Sequence, residues 1–355
     1  MSDKRLNLAV IMGGKSSEHE VSLNSGISML NALDKSKYNI KIIKIDKQGQ
    51  WLISPYIKEL PASADARLIE KSIVNIKPVE ANLAVDKMDN EKIDVALIAM
   101  HGKYGEDGRI QALLEFAGIP YQGSGVLASA LAMDKIKSSE LFQFHGLDVP
   151  KYLAFTKENF ETKKKQISQF LKDFSPAVLK PSDDGSSAGT FILKTPGEFD
   201  SKVSDSFAIS DNLMIQEYIK GEEVTCGVLD TDLPAQAGSK PQALPPTQII
   251  ANSGEFYDYT SKYADGGSTH IVPAPFPEKT IKEIQGIALR AHQILGCRGL
   301  SRTDMILRDG KIYILETNTL PGFTSTSLFP EEAQAAGISF TELIDKLVQS
   351  ALNKK

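Results

Sequence analysis

Two patterns of apolar and polar positions alternate along this chain. Leu6–Met12 (LNLAVIM) and Ile93–Met100 (IDVALIAM) are nearly unbroken apolar runs, as expected of parallel strands buried on both faces. The first ends in Gly13-Gly14. The second leads into His101-Gly102-Lys103-Tyr104-Gly105-Glu106-Asp107-Gly108. Loops at the carboxyl ends of parallel strands are where α/β sheets bind ligands. Behind the first strand, Ser17-x-x-Glu20 has the form of a capping box, and Leu23, Ile27 and Leu30 follow at helical spacing. Tyr38–Ile45 alternates like a strand, residues 47–90 show little periodicity, and Ile110–Ala117 is a helix closed by Gly118. Pro120–Ser124 reads as a crossing between domains.

The middle of the chain is patterned differently. A helix at Met133–Phe144 is followed by strand Val149–Phe155, helix Phe160–Leu171, strands Ala177–Lys180 and Thr190–Leu193, helix Pro196–Phe207 and strand Leu213–Ile219. That order is a βαββαβ module, unlike a continuous Rossmann sheet. The loop Pro181–Gly189 (PSDDGSSAG) is small and polar, and its backbone N–H groups with the Ser186 and Ser187 hydroxyls suit a phosphate chain. Further on, strands Glu223–Leu229 and Thr247–Ala251 flank an irregular insertion, Thr231–Pro246. Phe256–Tyr263 is too polar for a core and too aromatic for an idle loop, so it is expected to be a lid. Lys279–Leu295 is an amphipathic helix stopped by Gly296, and Ser339–Leu352 is the last helix.

Thr303–Leu307 and Ile312–Leu315 form a hairpin about Asp309-Gly310. The polar residues at the strand ends, Arg302, Asp304, Glu316 and Asn318, all occupy even positions. A three-residue or bulged loop puts all four on one face, whereas a clean two-residue loop splits them. The first arrangement is expected here, because Asp304, Glu316 and Asn318 together make a hard oxygen site suited to Mg²⁺ with bound phosphate.

Composition narrows the class. The chain has 355 residues, 41% of them hydrophobic and 24% charged, with a formal net charge of −5. These values fit a globular protein of two or three domains and give no general attraction to nucleic acid or anionic membrane. No apolar run reaches membrane-spanning length, and the first strand lacks the cleavage site of a signal peptide. Two cysteines, Cys226 and Cys297, make neither a disulfide framework nor a metal motif, so a cytoplasmic protein is expected. Two motif matches fail. GGKS lacks the first glycine of a Walker A loop, because Ala9 stands there. Gly185-x-Ser187-x-Gly189 is followed by a strand, not the helix a nucleophile elbow requires.

With these pieces placed, the sequence resembles the D-alanine–D-alanine ligases of the ATP-grasp superfamily. The motifs that carry the resemblance are GGKSSEHEVSLNSG, HGKYGEDG, GSGVLASALAMDK, KPSDDGSSAG, FYDYTSKY, SRTDM and ETNTLPGFTSTSL, in this order over nearly the whole chain. The resemblance implies a mixed α/β, three-domain ATP-grasp architecture: an N-terminal parallel α/β domain over 1–123, a central subdomain with the phosphate loop over 124–219, and a C-terminal subdomain over 220–355. It implies ATP-dependent joining of two D-alanine molecules through a D-alanyl phosphate, with two Mg²⁺ (or Mn²⁺) ions, for peptidoglycan precursors, by a cytoplasmic homodimer.

Residue by residue, the resemblance gives Glu18 the ammonium of the first D-alanine and places His101 near its carboxylate. Lys135, Lys180 and Lys262 would contact ATP phosphates, with Ser187 and Phe256 also at the nucleotide. Ser186 would link the phosphate loop to Tyr263 and Glu18. Glu217 and Ile219 would offer backbone groups to adenine, and Glu223 would take the ribose hydroxyls. Asp304, Glu316 and Asn318 would hold the metal. Arg302 and the Gly322 N–H would stabilise the tetrahedral intermediate, while Ser327 and the Leu328 backbone would bind the second D-alanine's carboxylate. Departures are Gln216 and Gln248, where many members carry Glu, and the length of the insertion and of the hairpin. Depsipeptide- or D-serine-forming relatives are the near alternative; Tyr263 favours the dipeptide, since D-lactate-forming relatives carry a lid with His near this position. A non-catalytic ATP-grasp binding protein and a serine hydrolase using Ser187 are the alternatives from other classes.

Overall fold

Three sheets organise the computed structural model, which describes residues 5–57, 61, 63–185, 188–231, 240–252 and 267–353. In the first, β1 (Leu6–Gly13) lies between β2 (Tyr38–Ile45) and β4 (Val95–Ile98), both parallel to it, and β3 (Trp51–Ile53) closes one edge antiparallel. Alternation sends Leu8, Val10 and Met12 into one core and Ala9 and Ile11 into the other. Because β1 and β4 are adjacent and parallel, the loops at their carboxyl ends meet. One face is covered by α1 (His19–Ala32), α2 (Ala66–Ile73) and the last helix, α11 (Phe340–Leu352). The other carries α3 (Ala81–Asn90) and α4 (Arg109–Phe116).

The second sheet runs β5 (Tyr152–Thr156), β8 (Asn212–Glu217), β6 (Ala177–Pro181), β7 (Phe191–Leu193), all antiparallel. α7 (Phe160–Asp173) and α8 (Phe199–Phe207) cover the face carrying Phe155, Leu179, Leu213 and Ile215. The βαββαβ order is the expected one. In the third sheet, β9 (Glu222–Asp230) is flanked by β11 (Thr247–Ala251) and β13 (Gly299–Arg308), with β12 (Ser268–Ile271) and β14 (Lys311–Asn318) outside them and β10 (Gln242–Ala243) on β9. α9 (Glu278–Leu295) packs beneath through Ile284, Ala288, Ala291 and Leu295. The described end of the insertion is therefore partly ordered as β10.

Several local expectations change. The capping box does not form: α1 starts at His19, its N-cap Glu18 makes no side-chain cap bond, and Glu20 pairs with Lys47 at 2.9 Å. Ser16 is the loop's polar tie instead, donating to the His101 carbonyl at 2.8 Å and accepting from Glu18 N at 3.3 Å. The helix expected over 133–144 is α6 (Lys135–Phe144), capped by Asp134, whose carboxylate accepts from Ile136 N and Lys137 N; a further helix that the pattern did not suggest, α5 (Val126–Met133), precedes it. The crossing at Pro120–Ser124 is stitched to the sheet edge, since Gln122 exchanges two 2.8 Å bonds with the Ile98 backbone.

The hairpin loop is the clean two-residue kind: Arg308 pairs with Lys311, and Asp309 and Gly310 have φ of 51° and 76°, as in a type I′ turn. That loop alone would split the four polar residues. They share a face because the register shifts between Asp304 and Met305: Met305 pairs with Ile314, Asp304 with Glu316 and Arg302 with Asn318, leaving Leu315 as the extra residue of a β-bulge.

Candidate active site

Where the loops after β1, β4 and β14 converge lies a cavity of about 460 Å³, lined among others by Glu18, His101, Lys135, Arg302, Gly322 and Ser327. Glu18 is 7% exposed. Its carboxylate is held between two backbones: a Cβ on Gly102 would fall 2.4 Å from Glu18 Oε2, and one on Gly185 2.9 Å from it. Gly102, at φ +68°, thus meets both a conformational and a spatial demand. The described start of the Pro181–Gly189 loop therefore closes on the first sheet, and Lys103 Nζ spans the same gap to Asp184 at 3.4 Å.

His101 is 4% exposed. Its Nδ1 donates to the Leu320 carbonyl at 3.1 Å, and Nε2 lies 2.8 Å from Ser25 Oγ. Ser25 Oγ also accepts from Phe323 N at 3.4 Å, so one histidine joins α1 to the segment after β14. Burial works against its charge, but the Glu106 and Glu18 carboxylates prevail and raise its pKa above the usual imidazole value. Burial likewise raises Glu106, whose Oε1 is 3.8 Å from His101 Nδ1.

The hairpin supplies the opposite wall. Arg302 grips Asp304 with Nε and Nη2, each at 2.8 Å, and Asp304 also accepts from Thr225 Oγ1 at 2.6 Å and Asn318 Nδ2 at 3.1 Å. Lys135, the first residue of α6, donates from Nζ to Glu316 Oε2 at 3.0 Å and to the Asp184 carbonyl at 2.8 Å, while its backbone N–H donates to the Ser182 carbonyl at 2.8 Å. Burial opposes its charge, yet the adjacent Glu316 carboxylate holds Lys135 above the ordinary lysine range.

A second cavity of about 190 Å³ lies between the second and third sheets, with Lys180, Gln216, Glu217, Ile219 and Glu223 among its lining. The two cavities share Lys135, Gly185 and Glu316. Leu315 and Glu316 both line the second cavity, as neighbours at a bulge do. Far from this junction, the first cavity ends at α10 (Leu328–Ala335). Ser327 is its N-cap and makes no cap bond to the helix; its Oγ instead accepts from Thr324 N at 3.0 Å. The first N–H groups of the helix are left to an anion. A Cβ on Gly322 would lie 3.2 Å from Ser327 Oγ, so these two residues sit together.

Of the residues expected at a site, the structure brings Glu18, His101, Lys135, Arg302, Glu316, Asn318, Gly322, Ser327 and Leu328 to the first cavity. It brings Lys180, Glu217, Ile219, Glu223 and Asp304 to the second. Ser186, Ser187, Phe256, Lys262 and Tyr263 lie outside the described residues. Two residues without an expected role also stand here: Glu106, within HGKYGEDG, lines the first cavity and Asp184 the second. Sequence reasoning missed His270, which lines the first cavity and bonds Glu331 Oε2 at 2.8 Å. Among the described residues no three His, Cys, Asp or Glu side chains form a metal cluster, and no helix is long and apolar enough to cross a membrane.

Comparison with known proteins matches these features. The family models for the D-ala D-ala ligase N-terminus and C-terminus match residues 7–124 and 141–349. The D-alanine–D-alanine ligase of Syntrophobacter fumaroxidans is 40% identical over 99% of both chains, and that of Leptospira interrogans 37% identical over 98% of both. Among solved structures, VanG D-Ala:D-Ser ligase from Enterococcus faecalis has a TM-score of 0.81 at 33% identity, covering 98% of this chain and 100% of that one. D-alanine–D-alanine ligase from Bacillus anthracis complexed with ATP has a TM-score of 0.73 at 31% identity, with 98% and 97% covered. With both ends of the chain matched and relatives aligned along its full length, this protein belongs to the D-alanine–D-alanine ligase family.

Proposed function

We propose that this chain joins two D-alanine molecules with ATP, the amino acids occupying the first cavity and the nucleotide the second. The observation that carries this reading is the meeting of the two cavities at Lys135, Gly185 and Glu316. Phosphoryl transfer requires the carboxylate and the γ-phosphate at such a junction. One D-alanine carboxylate oxygen attacks the γ-phosphorus and ADP departs. The amine of the second D-alanine then attacks the acyl carbon, and phosphate leaves as the amide forms.

The side chains suit these roles. Glu18, set between Gly102 and Gly185, holds the first ammonium, and His101 with its raised pKa faces the first carboxylate. Lys135 and Lys180 oppose phosphate charge. Arg302 and the Gly322 N–H receive the oxyanion, while Ser327 and the open N-terminus of α10 take the second carboxylate. Asp304 and Glu316 are paired directly across the strands, with Asn318 one pair along on the same face. Two carboxylates and an amide form a donor set that fits Mg²⁺ or Mn²⁺, and we take two ions to bind there. Such ions, when bound, neutralise charge on the transferring phosphoryl group. Arg302 and Lys135 also pair with two of these groups, Asp304 and Glu316.

We also infer units at 1–123, 124–219 and 220–355, supported by each sheet lying within one of them. A homodimer and a cytoplasmic setting complete the reading. Phe116 and Leu127, 92% and 72% exposed on α4 and α5, give a second copy an apolar face. The test is ADP release with ATP and Mg²⁺, alone and with D-alanine, D-serine or D-lactate, the product being identified by mass. D-alanine-dependent release yielding D-alanyl-D-alanine is expected. Nucleotide binding without substrate-dependent release would replace the enzyme with a non-catalytic ATP-grasp protein.

A further inference from the structure

The second cavity contains a polar atom that the reaction above leaves unused. Gln216 is 3% exposed, lines that cavity, and its Nε2 has no hydrogen-bond partner among the described residues. Its direction follows from β8: Leu213 and Ile215 turn into the core beneath α7 and α8, so Gln216 turns to the opposite, cleft face. A buried amide N–H without an acceptor is unfavourable, and a ligand in the cleft is what relieves it. Val178, Ile192, Ile249 and Met305 line the same space and suit the flat faces of a base, whereas Lys180 and Glu223 supply charge. Gln216 thus lies where a nucleobase edge arrives, if the second cavity is the nucleotide site as proposed above.

A glutamate at this place accepts hydrogen bonds only, and so selects a base with an exocyclic amino group. A glutamine does both. As placed, Nε2 offers a donor to N7 or to a 6-oxo group; with the amide turned over, Oε1 accepts from a 6-amino group. The amide is also neutral, so an oxo group meets no repelling charge. We infer that Gln216 is a specificity-determining residue that relaxes the choice at purine position 6, so that the enzyme uses inosine triphosphate as well as ATP. The Glu217 and Ile219 backbones, at the same cavity, keep ATP the better of the two.

The experiment compares wild type, Gln216→Glu and Gln216→Met. Affinities for ADP and IDP are measured by calorimetry, and kcat/KM with ATP and ITP by D-alanine-dependent phosphate release. Wild type is expected to favour ATP by no more than about 10-fold. Gln216→Glu should widen the ATP-to-ITP ratio by about 10–100-fold, and the ADP-to-IDP affinity ratio with it, because a carboxylate faces the oxo group. Gln216→Met conserves volume and removes both functions of the amide, so it should weaken the binding of both nucleotides and give a smaller ATP-to-ITP ratio than Gln216→Glu. Melting temperatures identify a variant that fails to fold, and the other then decides. The inference is overturned if wild type rejects IDP by about 1,000-fold, or if folded Gln216→Glu and Gln216→Met keep the wild-type ratio within two-fold. Failure of wild type to bind either nucleotide would instead sink the assignment of the second cavity, and this inference with it.

Discussion

Replacing Glu332 with glutamine should stabilise the protein at alkaline pH and change little near pH 5. Glu332 is on α10, fully buried, with Oε2 accepting from Gly227 N at 2.6 Å and Oε1 lacking a partner among the described residues. Gly227 is glycine because a Cβ there would lie 2.7 Å from Glu332 Oε2 and 2.9 Å from the Phe329 ring. Burial raises the Glu332 pKa well above 4.5, against the opposing pull of the Gly227 N–H and Arg302. The folded chain therefore keeps a proton that the unfolded chain releases. Stability is full below the unfolded value and falls as pH rises, by about 1.4 kcal/mol per unit, until Glu332 ionises in the fold.

Glutamine preserves the neutral geometry at every pH. Its Oε1 takes the Gly227 N–H, and its Nε2 faces Thr247 Oγ1, another buried atom without a partner among the described residues. Between pH 6 and 8 the advantage of the variant should grow with pH, at no more than about 1.4 kcal/mol per unit, or about 2 °C in Tm per unit for a chain of this size. Thermal melts of both proteins at pH 5.5, 7.0 and 8.5, at constant ionic strength, would measure it. A Tm difference that is the same at all three pH values would refute the reasoning, as would a variant less stable than wild type at pH 8.5.

Arg302→Met removes the guanidinium at the oxyanion position and should lower kcat by about 10²–10³-fold; an unchanged kcat in steady-state assays would exclude that role. Gly102→Ala forces a side chain into positive φ and onto Glu18, so KM for one D-alanine should rise about 10-fold or more while KM for ATP stays put. Equal increases in both would show that the loop, not the ammonium site, had moved. Glu316→Gln removes one carboxylate from the proposed metal face and leaves Lys135 without its ion-pair partner, though still bonded to the Asp184 carbonyl; the Mg²⁺ concentration for half-maximal rate should increase by at least about 10-fold. A Mg²⁺ titration superimposable on wild type would remove Glu316 from that face.

The two buried strands of the first sheet were legible because parallel strands covered on both faces need no polar positions. The βαββαβ module was legible for a similar reason: each element is long enough to show its own period. The common face of Arg302, Asp304, Glu316 and Asn318 was expected, but for a reason that did not hold. Asp309-Gly310 makes the tight loop its sequence favours, and a bulge at Leu315 restores the parity. An aliphatic residue in a strand carries no local sign that it will be the extra one. α5 was not legible because its residues, VLASALAM, are mostly small and apolar and show no clear polar face, whereas Asp134, as the cap of α6, fits the start expected for that helix. Glu332 was unreadable: a glutamate in an ordinary helix is assumed to face water, and only the approach of α10 to Gly227 buries it.

α11 has a consequence for how the molecule is made. Leu343, Ile344, Leu347 and Val348 complete the core around Leu8 and Val10, and Asp345 accepts from the Tyr38 hydroxyl at 2.9 Å. Four such side chains contribute roughly 6–12 kcal/mol, comparable with the whole net stability of a domain. The first sheet, made before residues 340–352, thus lacks part of its own core until they follow, on the order of 10–45 s later at ordinary synthesis rates. Throughout that interval the part of the sheet face that α1 and α2 do not cover stands open, a natural client for a chaperone. A circular permutant that places residues 340–352 ahead of β1 would close that interval and turn the first sheet into a unit able to fold as it emerges.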